Sequence, residues 1–151
     1  MGKFHFRLES LLNIVKHKEE ETKKALADAL RGLKQTQTEL LELSQLQTQA
    51  LRILVETQKG KISINELING HQYCQLLKKE VENKQRELIK NERKVEEVRN
   101  NLKEINKKRK MLEKLKEKDF TTFMLDEEKN LQKELDEISG NLFFTSSVGG
   151  F

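Results

Sequence analysis

A seven-residue apolar repeat, carried twice along a chain with no proline to interrupt it, limits the fold more than any other feature of this sequence. Steps of four and three from Leu8 visit Leu12, Val15, Glu19, Thr22, Leu26, Ala29, Leu33, Thr36, Leu40, Leu43, Gln47, Ala50 and Leu54, and ten of these fourteen positions are apolar. The same steps from Cys74 visit Leu77, Val81, Lys84, Leu88, Asn91, Val95, Val98, Leu102, Ile105, Arg109 and Leu112. Nine of these twelve are apolar, counting the cysteine. A free α-helix turns every 3.6 residues, so a repeat that keeps this phase for about fifty residues makes a stripe that a second, supercoiled helix buries.

Between the two registers stand Gly60, suited to a helix end, and Ser63-Ile64-Asn65-Glu66, which has the S-x-x-E form of a capping box. The matched lengths and single turn signal predict an all-α fold. It is a long antiparallel two-helix coiled coil with a short C-terminal helix and a frayed tail. The expected order is a helix over about 5–58, a turn over about 59–65, a helix over about 66–117 and a short helix over about 121–139. Together these make one hairpin, 1–139, followed by a flexible tail, 140–151. Gly70 marks a weak point where the second helix could start in two pieces. After Leu112 the phase changes: Met124, Leu131, Leu135, Ile138 and Leu142 follow steps of seven, four, three and four, and Lys118–Thr122 reads as the break. In such a hairpin residue i faces roughly residue 124 − i, and each helix is roughly 75 Å long. A single chain of this kind should show a maximum dimension on the order of 80–100 Å in solution scattering. The polar seam residues Thr22, Gln47, Lys84 and Asn91 weaken the pairing but can fix its register.

Composition agrees with a seam rather than a globular core. Charged residues are 36% of the chain and hydrophobic residues 35%, with one Tyr and no Trp. The net charge of +4 arises from 29 basic and 25 acidic residues that are interspersed, the pattern of a solvated helix surface. Cys74 is alone and seam-placed, so no internal disulfide forms and a small buried hydrophobe explains it. No aliphatic run approaches the length of a membrane span. The expectation is a soluble cytoplasmic protein.

The phenylalanines are segregated: all seven lie in the first six or the last thirty-two residues. Phe4, Phe6, Leu11 and Ile14 lie off the stepped positions, and Phe120, Phe123 and Leu125 crowd near the other end. Antiparallel pairing brings both groups to one tip. Two readings stand side by side. The surplus is a docking tip for a partner, or the last helix folds back and buries it. The basic run Lys107-Lys108-Arg109-Lys110, extended by Lys114, Lys116 and Lys118, interleaves with Leu112 and Leu115 and has no alternating aromatics for base stacking. It reads as a solvated helix face, with a nucleic-acid-associated coil as the competing class. A third class is a self-associating coil in which the hairpin opens into a longer dimer. His17 and Glu21, four residues apart, lack a third metal ligand. No glycine-rich phosphate loop, nucleophile elbow or paired-carboxylate scaffold is present, so neither a cofactor nor catalysis is expected.

The opening Phe4-His5-Phe6-Arg7-Leu8-Glu9-Ser10-Leu11-Leu12, followed by a long charged coil, resembles the start of the flagellar FliJ family. Asn69 to Leu77 after the turn, and Asp126 to Lys129 continuing to Leu135-Asp136-Glu137, look similar as well. The resemblance implies a non-catalytic coupling or chaperone protein of the flagellar type III export apparatus, similar to the central stalk of rotary ATPases. It implies an ATPase-docking tip of Phe4, Phe6, Arg7, Leu11, Ile14, Phe120 and Phe123 that enters a hexameric export ATPase ring. It implies an export-gate contact through Tyr73 and Leu77, the gate being a membrane protein. Other export chaperones are further implied partners. The resemblance places a monomer in the cytoplasm, peripherally associated with the cell membrane at the flagellar base and serving motility and chemotaxis, with no nucleic acid bound.

Overall fold

The structure is a computed structural model that describes residues 2–60 and 63–148. Two helices make up nearly all of it: α1, Glu9–Thr57, and α2, Ile64–Val148. The chain falls into two compact units. One comprises 1–19 with 105–151, the other 20–104. Each unit repeats one motif, a stretch of α1 packed antiparallel on a stretch of α2, and the fold is an all-α two-helix coiled coil.

Every position of both stepped registers is buried or half-buried. In the first unit Leu12 and Val15 are buried beside the α2 segment that carries Arg109 and Leu112. In the second unit Leu77, Val81 and Val95 are buried against α1. Cross-helix pairs fix the alignment. Glu9 meets Lys116 at 2.9 Å and Glu19 pairs with Arg109 in the first unit. Asn91 meets Thr36 at 2.8 Å and Lys84 pairs with Glu39 in the second. All agree with the 124 − i expectation to within about one helical turn.

The polar seam residues Glu19, Thr36, Lys84, Asn91 and Arg109 are therefore bonded rather than merely tolerated. The Asn91 amide donates to the Thr36 hydroxyl, which donates at 3.0 Å to the Gly32 carbonyl oxygen. Arg109 spans Glu19 and, at 2.8 Å, Glu113 on its own helix. Lys84 bridges Glu39 and, at 3.1 Å, Glu87. A hydrogen bond and charge from Lys84, with help from Gln35, hold the Glu39 carboxyl below its ordinary value; Glu39 and Glu87 raise Lys84. A carboxyl lowered in the folded state stabilises above its unfolded value and loses that contribution as pH falls through the folded one. A raised lysine stabilises below its unfolded value and loses that as pH rises through the folded one. The melting temperature of the chain should accordingly drop on acidification below the ordinary carboxylate range and again at strongly alkaline pH. Glu39→Gln should blunt the acid limb in a melting series; an unchanged limb would mean the pair contributes nothing.

Several expected boundaries differ. α1 begins at Glu9 rather than near residue 5, because residues 2–6 are non-helical and carry Phe4 and Phe6 onto α2. The Glu9 amide closes that segment by donating to the Phe6 carbonyl oxygen at 3.1 Å. The turn expected over about 59–65 falls partly on residues 61 and 62, outside the described residues. Gly60 forms no left-handed cap, since no glycine among the described residues has positive φ. The Ser63 hydroxyl accepts from the Glu66 amide at 3.2 Å, so the capping box does open α2.

Gly70 does not divide α2. It sits where the helices approach closely, and a Cβ there would lie 3.0 Å from Leu54 Cδ1. The break expected over Lys118–Thr122 is also absent. The Thr121 and Thr122 hydroxyls donate back to the carbonyls of Glu117 and Lys118, which lets both residues stay helical. A separate helix over about 121–139 is thus the continuation of α2, and helix persists through Val148 where a tail from residue 140 was expected. Residues 149–151 lie outside the described residues. The stepped phase carries on only in part past Leu112: Lys116 and Phe123 remain half-buried, the lysine by its stem, while Asp119 and Asp126 are exposed, and the last half-buried residue, Glu127, falls one position off the phase.

Candidate functional site: the aromatic tip and the turn-side groove

The first unit gathers most of the expected tip residues. Phe4, arriving on the non-helical segment, meets Phe120 edge-on with ring centroids 5.2 Å apart and Phe123 at 5.5 Å in a tilted arrangement. Lys3, Phe4 and His5 border a shallow groove whose other wall is Asp119, Thr122, Phe123 and Asp126 of α2. Phe6 lies off the stepped positions yet is only 3% exposed. It is a core residue of the tip, so it is not part of the outward-facing surplus. Leu11, at 45% exposure, Ile14 and Phe120 do face outward, and Arg7 is exposed.

The N-terminal segment, and not a folded-back last helix, covers part of the α2 aromatics. The signal that could have revealed this is the position of Phe4 and Phe6 ahead of the first seam residue, where a chain not yet helical can lay two alternate side chains onto a neighbour. Past Glu127, α2 continues with residues 128–143 exposed throughout. This overhang carries Leu131, Leu135, Ile138 and Leu142 in the open.

In the second unit the two residues expected to touch a gate part company. Tyr73 is 48% exposed, whereas Leu77 is 4% exposed and packs in the seam. Tyr73 borders a mostly apolar groove with Ala50, Ile53, Leu54, Thr57, Glu66, Leu67 and Gly70. Leu76 and Ile68 are exposed nearby in sequence and extend the apolar character.

Among the described residues no group of three His, Cys, Asp or Glu side chains comes together as a metal site. No described helix is long and apolar enough to cross a membrane. The surface offers grooves along a helix pair rather than a cleft with convergent catalytic groups. The class so defined is an all-α two-helix coiled coil. The family model described as flagellar FliJ protein matches residues 4–147, from Phe4 at the tip through the overhang, and the chain belongs to that family. Its members are non-catalytic structural or chaperone-type components of the flagellar export apparatus, with partners in that machinery. No curated protein and no solved structure matches the chain.

Proposed function

We propose that the chain couples an export ATPase to the export gate, at the cytoplasmic face of the membrane at the flagellar base. The tip-bearing unit docks into the hexameric ATPase ring. The turn-side groove around Tyr73 contacts the gate, a membrane protein, and export chaperones share the coiled coil. The working body is the hairpin 1–139, acting as a single chain. The observation that carries this reading is the tip: Leu11 and Ile14 stay exposed on a unit whose interior is already filled by Leu12, Val15 and Phe6. Exposed apolar clusters beside a rigid scaffold mark interaction sites, and aromatic neighbours such as Phe4, Phe120 and Phe123 suit them to anchor an interface.

The test separates docking from packing. Leu11→Ala with Ile14→Ala should weaken binding to the export ATPase at least tenfold, or about 1.4 kcal/mol. Stability should shift little, because surface changes cost within about 0.5 kcal/mol each. Tyr73→Ala should weaken binding to the cytoplasmic part of the gate and leave ATPase binding unchanged. Full ATPase affinity in the Leu11/Ile14 variant would refute the docking tip.

A further inference from the structure

Two exposed surfaces of the first unit complement each other. On α1, Leu11 and Ile14 follow Arg7 in steps of four and three, so the three share one stripe beside the seam. On α2, Lys108, Met111, Leu115 and Lys118 follow steps of three, four and three, all exposed. At about 100° per residue both stripes are turned from their seams in the same rotational sense. Antiparallel helices that face each other present that sense on one common flank. Glu9–Lys116 and Glu19–Arg109 set Leu11 and Ile14 level with the Met111–Leu115 segment. One flank of the pair thus offers four apolar side chains with cations at the corners.

The second surface is the overhang. Leu131, Leu135, Ile138 and Leu142 follow steps of four, three and four, the spacing of a coiled-coil seam, and all four are exposed. By the same angular count Glu127 and Glu134 edge this stripe on one side and Glu128 on the other. Lys129 and Lys133 point to the opposite side of the helix. An apolar stripe rimmed by carboxylates is the counterpart of an apolar flank cornered by Arg7, Lys108 and Lys118. The 11 residue steps from Glu127 to Ile138 also match the span of the flank, roughly 16 Å.

We infer that the overhang of one copy of this chain docks on the Leu11–Ile14–Met111–Leu115 flank of a second copy, adding a third helix there. The helix carrying both surfaces is continuous, and they lie about half a turn apart around it. A copy whose flank is occupied therefore cannot return its own overhang to the same neighbour. The contact is heterologous and runs head to tail. It stands independently of ATPase docking, although it uses Leu11 and Ile14, so a ring that binds them would displace the second copy. The single-chain expectation then holds at dilution.

Sedimentation equilibrium on the isolated full-length chain over a wide concentration range tests this. The wild type should associate reversibly beyond two chains, and less so at high salt, which screens the corner charges. A flank variant, Ile14→Asp with Met111→Asp, and an overhang variant, Leu131→Asp with Leu135→Asp, should each associate at least tenfold more weakly. Mixed together they should form a one-to-one pair and stop there, since each retains the half the other lacks. Glu127→Lys with Glu134→Lys keeps helix-forming residues and should also weaken association; adding Lys108→Glu with Lys118→Glu to the same chain should restore it. A wild type that stays monomeric throughout, an association untouched by either variant, or a charge swap that fails to restore it would overturn the proposal. So would a monomer whose overhang amides resist hydrogen exchange, which would show the overhang folded back on its own flank.

Discussion

Exchanging Leu12 for alanine is expected to cost the tip-bearing unit about 2–5 kcal/mol, the range for deleting a fully buried leucine side chain. Leu11→Ala, one residue away, should cost less than about 0.5 kcal/mol. The contrast follows from register alone. Leu12 is 1% exposed and filled around by the opposite helix, while its neighbour is turned outward by about 100°. Phe6→Ala belongs with Leu12→Ala, because Phe6 is as well buried although it precedes the helix. Its removal should loosen residues 2–8 and expose the Phe120 and Phe123 rings. Denaturant unfolding, followed by helical signal and by hydrogen exchange of the amides in 8–19 and 105–120, resolves the three variants. Equal costs at positions 11 and 12 would mean that the seam is turned from the register described above.

The second effect concerns the part-buried Asn91–Thr36 pair. Thr36→Val should cost about 1 kcal/mol, since it removes the acceptor of the half-buried Asn91 amide. Adding Asn91→Leu removes the stranded group, and the double variant should recover most or all of the loss. A polar pair at one seam layer, however, specifies alignment at some cost in stability. The double variant should therefore slip. With Cys74 replaced by alanine, engineered cysteine pairs set one heptad out of register should cross-link in the double variant and remain reduced in the parent. Strictly additive single costs, or no slipped cross-link, would deny the pair its register role.

Much of the architecture could be read from side-chain order, because a coiled coil writes its contacts as a one-dimensional period. Each stepped position from Leu8 to Leu54 and from Cys74 to Leu112 is withdrawn from solvent, including Glu19, Thr36, Asn91 and Arg109. The failures share a cause: polar residues do seam work that an apolar count does not register. Lys116 continues the phase one step past Leu112, where it was expected to stop, and Thr121 and Thr122 bond their own helix instead of breaking it. Phe6 was missed for a different reason. It lies ahead of α1, where no helical period applies and only the tertiary contact decides its burial. Leu77 was already a stepped seam position and is buried as such; its part in a gate contact came from the resemblance alone.

The exposed overhang also bears on how such a chain is removed from a cell. Residues 128–143 hold their helix by local hydrogen bonds and pairs such as Gln132 with Asp136, without the packing that secures the seam. Segments of that kind open far more often than a packed core, and proteases act on the opened form. Turnover of idle chains should begin there. A first cut beyond Glu127 would spare the Phe4–Phe120–Phe123 cluster and the cross-helix pairs from Glu9–Lys116 to Glu39–Lys84, leaving a folded remnant in place of rapid disappearance. Chains held by a partner through that region would escape the cut, so the abundance of the intact form would track the abundance of what binds it.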